Sequence, residues 1–275
     1  MALSFASLNS GSNGNCYYLA NEQDAILVDA GIACRETERR MDRLGLSMNK
    51  VRAIFVSHEH SDHIRGIPVI AKKYQLPVYI TDITLNQSGL NLERDRVRSF
   101  RAHEAVNIGE LAITAFPKFH DASEPHSFTV RSRGITVGVF TDIGFPCDHV
   151  IRYFSGCHAA FLEANYDERL LENGRYPYHL KARIRGGNGH LSNKQALELF
   201  LSKGTHMSHL LLSHLSRDNN SPALVRELFK PHTSNTKIIV ASRDMETEIF
   251  HIGKAGSVGS LTHTVRAGDV QYSLF

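Results

Sequence analysis

The residues of this 275-residue chain best suited to hold a metal stand together, as Ser57-His58-Glu59-His60-Ser61-Asp62-His63. Imidazole and carboxylate groups ligate zinc, manganese and iron, so His58, His60, Asp62 and His63 read as a metal loop. If the chain stays extended, the alternation of His58 and His60 projects both rings the same way. Asp62 and His63 would then turn towards a second point as a helix begins. Three imidazoles crowded in this way repel one another on protonation, and a metal that keeps them neutral removes the conflict.

Two ions need more ligands than one loop supplies, and further candidates follow in order. His120 comes after the apolar run 111–116, Asp142 after 135–140, and His214 after 210–212. Alone, each is more often a packing, turn or capping residue. Their recurrence at the ends of β-like runs makes them a set. Two cations about 3.5–4 Å apart can lower the pKa of a bridging water from about 15.7 towards about 7, making hydroxide available as a nucleophile, and can neutralise charge on an attacked group. A phosphodiester, already negative, suits such a centre. There is no Gly-x-Ser-x-Gly elbow or catalytic Cys/His constellation to compete for the role of nucleophile.

The elements that must position these groups come in short apolar runs. Strands are predicted over 3–8, 16–20, 25–28, 53–57, 77–80, 111–116, 128–131, 135–140, 159–162, 209–212 and 237–240. Helices are predicted over 35–44, 64–74, 149–154, 192–201 and 222–229. Ser192 with Gln195 fits a capping box, and Ser221-Pro222 fits a cap followed by proline at the first helical position. The first half is strand-rich and the later strands alternate with helices. Two sheets packed face to face with helices outside, an α/β sandwich, satisfy that inventory. One domain is expected over 1–251, with 252–275 a tail or peripheral hairpin.

The ordered set His58-x-His60-x-Asp62-His63, His120, Asp142 and His214 resembles the signature of the metallo-β-lactamase superfamily of dinuclear hydrolases. The resemblance implies a four-layer αββα fold. It also implies that His58, His60 and His120 bind one metal, that Asp62, His63 and His214 bind the other, and that Asp142 bridges them. Within the superfamily the chain is similar to the YycJ/WalJ-type proteins. That likeness rests on residues 8–15 (LNSGSNGN), on Val28-Asp29-Ala30-Gly31, on the SHEHSDH core and on Gly189-His190-Leu191-Ser192-Asn193. It implies nuclease action, including 5′-to-3′ exonuclease action on DNA. Leu162-Glu163-Ala164-Asn165 followed by Gly189-His190 is also similar to elements of the tRNA 3′-end-processing ribonucleases, whose Glu and His assist proton transfer at the leaving group. Carried over, Glu163 and His190 would be catalytic, alongside Asp62. A carboxylate that fixes an imidazole's tautomer suits a general acid. The alternative for His190 is local capping of the helix that follows.

A net charge of +3 is too small for a protein that merely coats nucleic acid, yet it leaves room for a local basic cleft. Cys16, Cys34, Cys147 and Cys157 show neither a CxxC pair nor zinc-ribbon spacing and read as free thiols. The start lacks a charged segment leading into an apolar one, and no run is long enough to cross a bilayer, which points to the cytoplasm. The loop 10–15 reads as a hairpin turn or as a backbone cradle for phosphate. Lys181, Arg183 and Arg185 read as contacts to a nucleic-acid backbone or as a solvated face. The expected cofactors are two divalent ions, zinc first, with manganese or iron as alternatives. The expected partner is nucleic acid, DNA before RNA. The rival functions are hydrolysis of a thioester, lactone or cyclic nucleotide at the same site, and a non-enzymatic binding role.

Overall fold

Runs that read as continuously apolar, such as CYYLA at 16–20 and AILV at 25–28, are buried at every residue. Such strands belong in a sheet covered on both faces. The computed structural model, which describes residues 2–233 and 235–253, gives them that setting. The first sheet contains β1 (Leu3–Asn9), β2 (Cys16–Ala20), β3 (Ala25–Val28), β4 (Val51–Phe55), β5 (Val78–Tyr79) and β6 (Val97–Arg98). The second contains β7 (Ala105–Ile108), β8 (Leu111–Pro117), β9 (His126–Ser132), β10 (Ile135–Phe140), β11 (Ala159–Glu163), β12 (His209–Ser213) and β13 (Lys237–Val240). β14 (Phe250–Ile252) returns to the first sheet and pairs antiparallel with β1. The strand orders are β14-β1-β2-β3-β4-β5-β6 and β13-β12-β11-β10-β9-β8-β7.

The helices are α1 (Cys34–Arg43), α2 (Ser61–Ile64), α3 (Ile67–Tyr74), α4 (Asp82–Ser88), α5 (Asp148–Ser155), α6 (Glu168–Asn173), α7 (Tyr178–Arg185), α8 (Asn193–Lys203) and α9 (Pro222–Phe229). Side chains sort into three apolar layers. Phe5, Tyr17, Phe55, Phe128, Val137 and Phe161 fill the space between the sheets. Tyr18, Leu27 and Ile54 pack outward on Met41, Ile67 and Ile70 of α1 and α3. Phe140, Leu162 and Leu212 pack outward on Phe154, Phe200 and Phe229 of α5, α8 and α9. The arrangement is the expected αββα sandwich. Burying one such aromatic side chain contributes roughly 1.5–3 kcal/mol over leaving it in water.

In each sheet an antiparallel meander gives way to parallel strands: β3, β4, β5 and β6 in the first, and β10, β11, β12 and β13 in the second. Parallel strands carry their carboxyl ends to one side of the sheet, where sites collect in α/β folds. The capping box of α8 forms as the sequence predicts. So does the Ser221 cap of α9, with proline in its first turn.

One expectation needs correction. The helix predicted over 64–74 is two helices, α2 and α3, broken at Gly66. A Cβ on Gly66 would lie 2.0 Å from the Ile32 carbonyl oxygen, and its N–H donates to Ala30 O at 2.8 Å. Close approach of another backbone sets the break. All four cysteines are free and buried. Among the described residues, no helix is long and apolar enough to cross a membrane. The tail or hairpin expected over 252–275 lies, from residue 254 onward, outside the described residues.

Candidate metal centre

Strand ends deliver the site. β3 ends before Asp29, β4 leads into the loop 56–60, β10 precedes Asp142, β11 ends on Glu163, and β12 precedes His214. Asp29, Asp142 and His214 all adopt left-handed backbone, with φ of 58°, 55° and 55°. Non-glycine residues seldom do this, and Asp and His are among those that tolerate it. The sharp turn swings each side chain inward, so residues distant in sequence meet.

Six expected ligands form two triads. In the first, His58 Nε2 lies 3.1 Å from His60 Nδ1, which lies 3.3 Å from His120 Nε2. In the second, Asp62 Oδ2 lies 3.4 Å from His63 Nε2 and 3.5 Å from His214 Nε2. Asp142 stands between them, with Oδ2 3.1 Å from His63 Nε2 and Oδ1 3.8 Å from His120 Nε2. Within each triad the donor atoms all lie within 4.8 Å of one another. His60 continues the extended chain from β4, with φ −62° and ψ 142°, before α2 begins. This is the continuation that lets His58 and His60 face one point.

The second nitrogen of each ring is occupied. His58 Nδ1 donates to Ser57 Oγ (2.9 Å), His60 Nε2 to Asp121 O (3.2 Å) and His120 Nδ1 to Gly189 O (2.9 Å). His63 Nδ1 donates to Asp29 Oδ2 (2.7 Å) and His214 Nδ1 to Glu163 Oε1 (3.0 Å). These partners fix the tautomers, so the remaining nitrogen of each of the five rings faces the centre, as a lone pair once the ring is neutral. Lone pairs facing one another at 3.1–3.3 Å repel unless a cation lies among them. Asp142 Oδ2 and His214 Nε2 are buried and make no hydrogen bond within the chain. Such atoms ordinarily cost about 1–3 kcal/mol each. The donor set fits divalent cations.

Electrostatics divide the triads. Burial, aided by the His63 charge, holds His58 well below the usual imidazole range, and burial brings His120 down to about 4. Both are therefore neutral, as ligands must be. Burial also opposes charge on His63 and His214, but carboxylates outweigh it. Asp142, Asp62 and Asp29 hold His63 well above its usual value, and Asp142, Asp62 and Glu163 raise His214 to about 10. Asp62 and Asp142 stay ionised despite burial because these histidines face them. Four carboxylates in a dry space favour positive charge there, whether proton or cation.

Glu163 and His190 also meet. His190 Nδ1 donates to Glu163 Oε1 at 2.8 Å, and Glu163 Oε2 accepts Ile143 N–H (2.7 Å) and Leu191 N–H (3.2 Å). Burial would raise the Glu163 carboxyl, yet His190 and His214 hold it down at about 2. Glu163 thus serves two rings, one inside the second triad and one at its edge.

The structure brings together every site residue that the sequence singles out. It adds several that the sequence reading did not single out as site residues. Asp29 accepts from His63 and from both the N–H and the hydroxyl of Ser57, so one carboxylate orients His63 directly and His58 through Ser57. Its sequence signals are an acid directly after an all-apolar run and its place in the Val28-Asp29-Ala30-Gly31 motif. Asn15 Nδ2 donates to Asp62 Oδ2 at 3.1 Å and approaches His63 Nε2 at 3.0 Å. Asn165 Nδ2 donates to His214 O at 2.8 Å. Lys118 is buried against this acidic cluster with Nζ on Thr141 O at 2.6 Å. Replacing Asp29 with Asn frees the tautomers of His63 and His58. We expect metal affinity to fall about 10–100-fold, read by competition with a fluorescent chelator; an unchanged affinity would remove Asp29 from the centre.

In the loop 10–15, the N–H groups of Ser10, Gly11, Gly14 and Asn15 are already bonded inside the chain, and Ser10 Oγ accepts His214 N–H at 2.8 Å. This loop braces Asp62 and His214, which favours the hairpin alternative over the phosphate cradle. On α7, Lys181 and Arg185 bond Glu172, and Arg183 pairs with Asp121.

A β-lactamase superfamily domain model matches residues 24–215, a span that contains every candidate ligand. The chain belongs to that superfamily and is a hydrolase of the metallo-β-lactamase fold. It is 36% identical over 230 residues to exodeoxyribonuclease YycJ of Bacillus anthracis, covering 82% of this chain and 87% of that protein. It is 30% identical over 222 residues to exodeoxyribonuclease WalJ of Streptococcus pneumoniae, covering 78% and 82%. Among solved structures it is similar to the metallo-β-lactamase fold protein YhfI of Bacillus subtilis, with a TM-score of 0.70 and 17% identity over 90% of this chain and 99% of that one.

Proposed function

We propose that this protein is a dinuclear metal-dependent phosphodiesterase that degrades DNA as a 5′-to-3′ exonuclease. The observation that supports this most is the five imidazoles whose outer nitrogens are bonded and whose remaining nitrogens converge in two groups around Asp142. His58, His60 and His120 would hold one ion, Asp62, His63 and His214 the other, and Asp142 would serve both. When bound, such ions make water a competent nucleophile at neutral pH and neutralise charge growing on the phosphoryl oxygens. The chain's own residues do the rest. Glu163 accepts from His190 Nδ1–H, so the imidazolium form of this partly exposed ring can pass its Nε2–H to the departing oxygen and be left as the neutral Nδ1–H ring. Asp62, itself braced by Asn15, completes the carboxylate field that sets where the attacked group lies. DNA is favoured because both relatives above are named exodeoxyribonucleases.

The test uses metal-analysed protein with zinc or manganese, single-stranded DNA labelled at either end, the matching RNA, and a thioester, lactone and cyclic-nucleotide panel. Processive release of nucleotides from the 5′ end of DNA is the expected result. Turnover of the small esters with no oligonucleotide cleavage would replace this reading.

A further inference from the structure

Eleven described phenylalanines are buried, whereas Phe119 and Phe145 are 48% and 38% exposed and lie together. Their ring centroids are 4.7 Å apart and the planes differ by 28°, a stacked pair. Backbone contacts hold it. Gly144 N–H donates to Phe119 O at 2.7 Å, and a Cβ on Gly144 would lie 2.0 Å from Gly187 O. The Phe145 ring itself comes within 3.7 Å of where a Cβ on Gly187 would stand. Three segments are therefore pinned to one another, and each also supplies a side chain to the centre: His120 follows Phe119, Asp142 precedes Phe145, and His190 follows Gly187. Beside them Arg183 reaches from α7 to Asp121.

A stacked ring pair open to water presents a flat π surface rather than a branched aliphatic patch. Planar partners match it, and bases of single-stranded nucleic acid are held in this way without sequence preference. The phosphodiester to be cut must sit at the centre, and the segments that carry the stack also carry His120, Asp142 and His190, which puts the rings at the border where a flanking base would lie. We infer that the Phe119–Phe145 stack is a platform for an unpaired nucleobase beside the phosphodiester to be cut. The inference rests on the nucleic-acid reading above and adds to it a contact to the base beside the scissile bond.

The test measures binding of metal-loaded protein to a phosphorothioate oligonucleotide carrying 2-aminopurine near its 5′ end, and to an abasic counterpart. Native protein should quench 2-aminopurine. Phe145→Ala should weaken binding of the base-bearing strand by roughly tenfold or more. Phe145→Tyr should restore it and Phe145→Leu should not. The abasic strand should bind native protein and Phe145→Ala alike. The platform is overturned if Phe145→Leu binds as well as native protein, if Phe145→Ala leaves the quench intact, or if its effect is loss of a dimer. DNA cleavage by native protein is followed in parallel, so an unaltered quench with cleavage intact removes the platform alone. Absence of both cleavage and binding removes the nuclease reading, and the platform with it.

Discussion

Asp142→Asn will lower hydrolysis by on the order of 10²–10³-fold or more and, with the ligand roles proposed above, will reduce the metal content from two ions per chain to one or fewer. Asn is the informative replacement because it keeps the volume and tolerates the left-handed backbone, φ 55°, that Ala would strain. What it removes is the negative charge between the triads, where Oδ2 faces His63 and Oδ1 faces His120. Elemental analysis after gel filtration reads the stoichiometry, and DNA turnover reads the rate. Full metal content with native activity would show that no carboxylate is needed between the ions.

The second large effect separates two residues that touch. His190→Ala should reduce DNA cleavage by about 10²–10⁴-fold, because the departing sugar oxygen then leaves without a proton. A p-nitrophenyl phosphodiester needs no such help, so its turnover should fall by less than about tenfold. Glu163→Gln should behave differently. Oε1 orients His214 as well as His190, and Oε2 accepts two backbone N–H groups that an amide nitrogen cannot satisfy. It should therefore damage both substrates and weaken metal retention. If His190→Ala lost the two activities in equal proportion, its role would be structural.

Parts of this site are legible in the sequence because adjacency or a strand end announces them. His58, His60, Asp62 and His63 are neighbours along the chain, and His120, Asp142 and His214 follow apolar runs. Asn15 and Asn165 stand in motifs that carry the family likeness, and Lys118 in none, yet nothing in the sequence assigns these three a role, since only their three-dimensional neighbours make it visible. The same holds for elements. α7 has no buried residue and so no apolar period to detect, while β6 and β14 span two and three residues, too few for alternation. The break at Gly66 depends on the backbone at Ala30 and Ile32, more than thirty residues away.

Each triad takes two members from the segment 58–63 that leaves the first sheet, His58 and His60 from its loop and Asp62 and His63 from α2, and one that follows a strand of the second sheet: His120 in one case, His214 in the other. With the ligand roles proposed above, every captured ion rivets the two halves of the sandwich together. Opening the sandwich would have to release it. At a free concentration one hundred times its dissociation constant, each ion would oppose that opening by about 2.7 kcal/mol. Cation supply would then govern how long the enzyme survives as well as how fast it turns over.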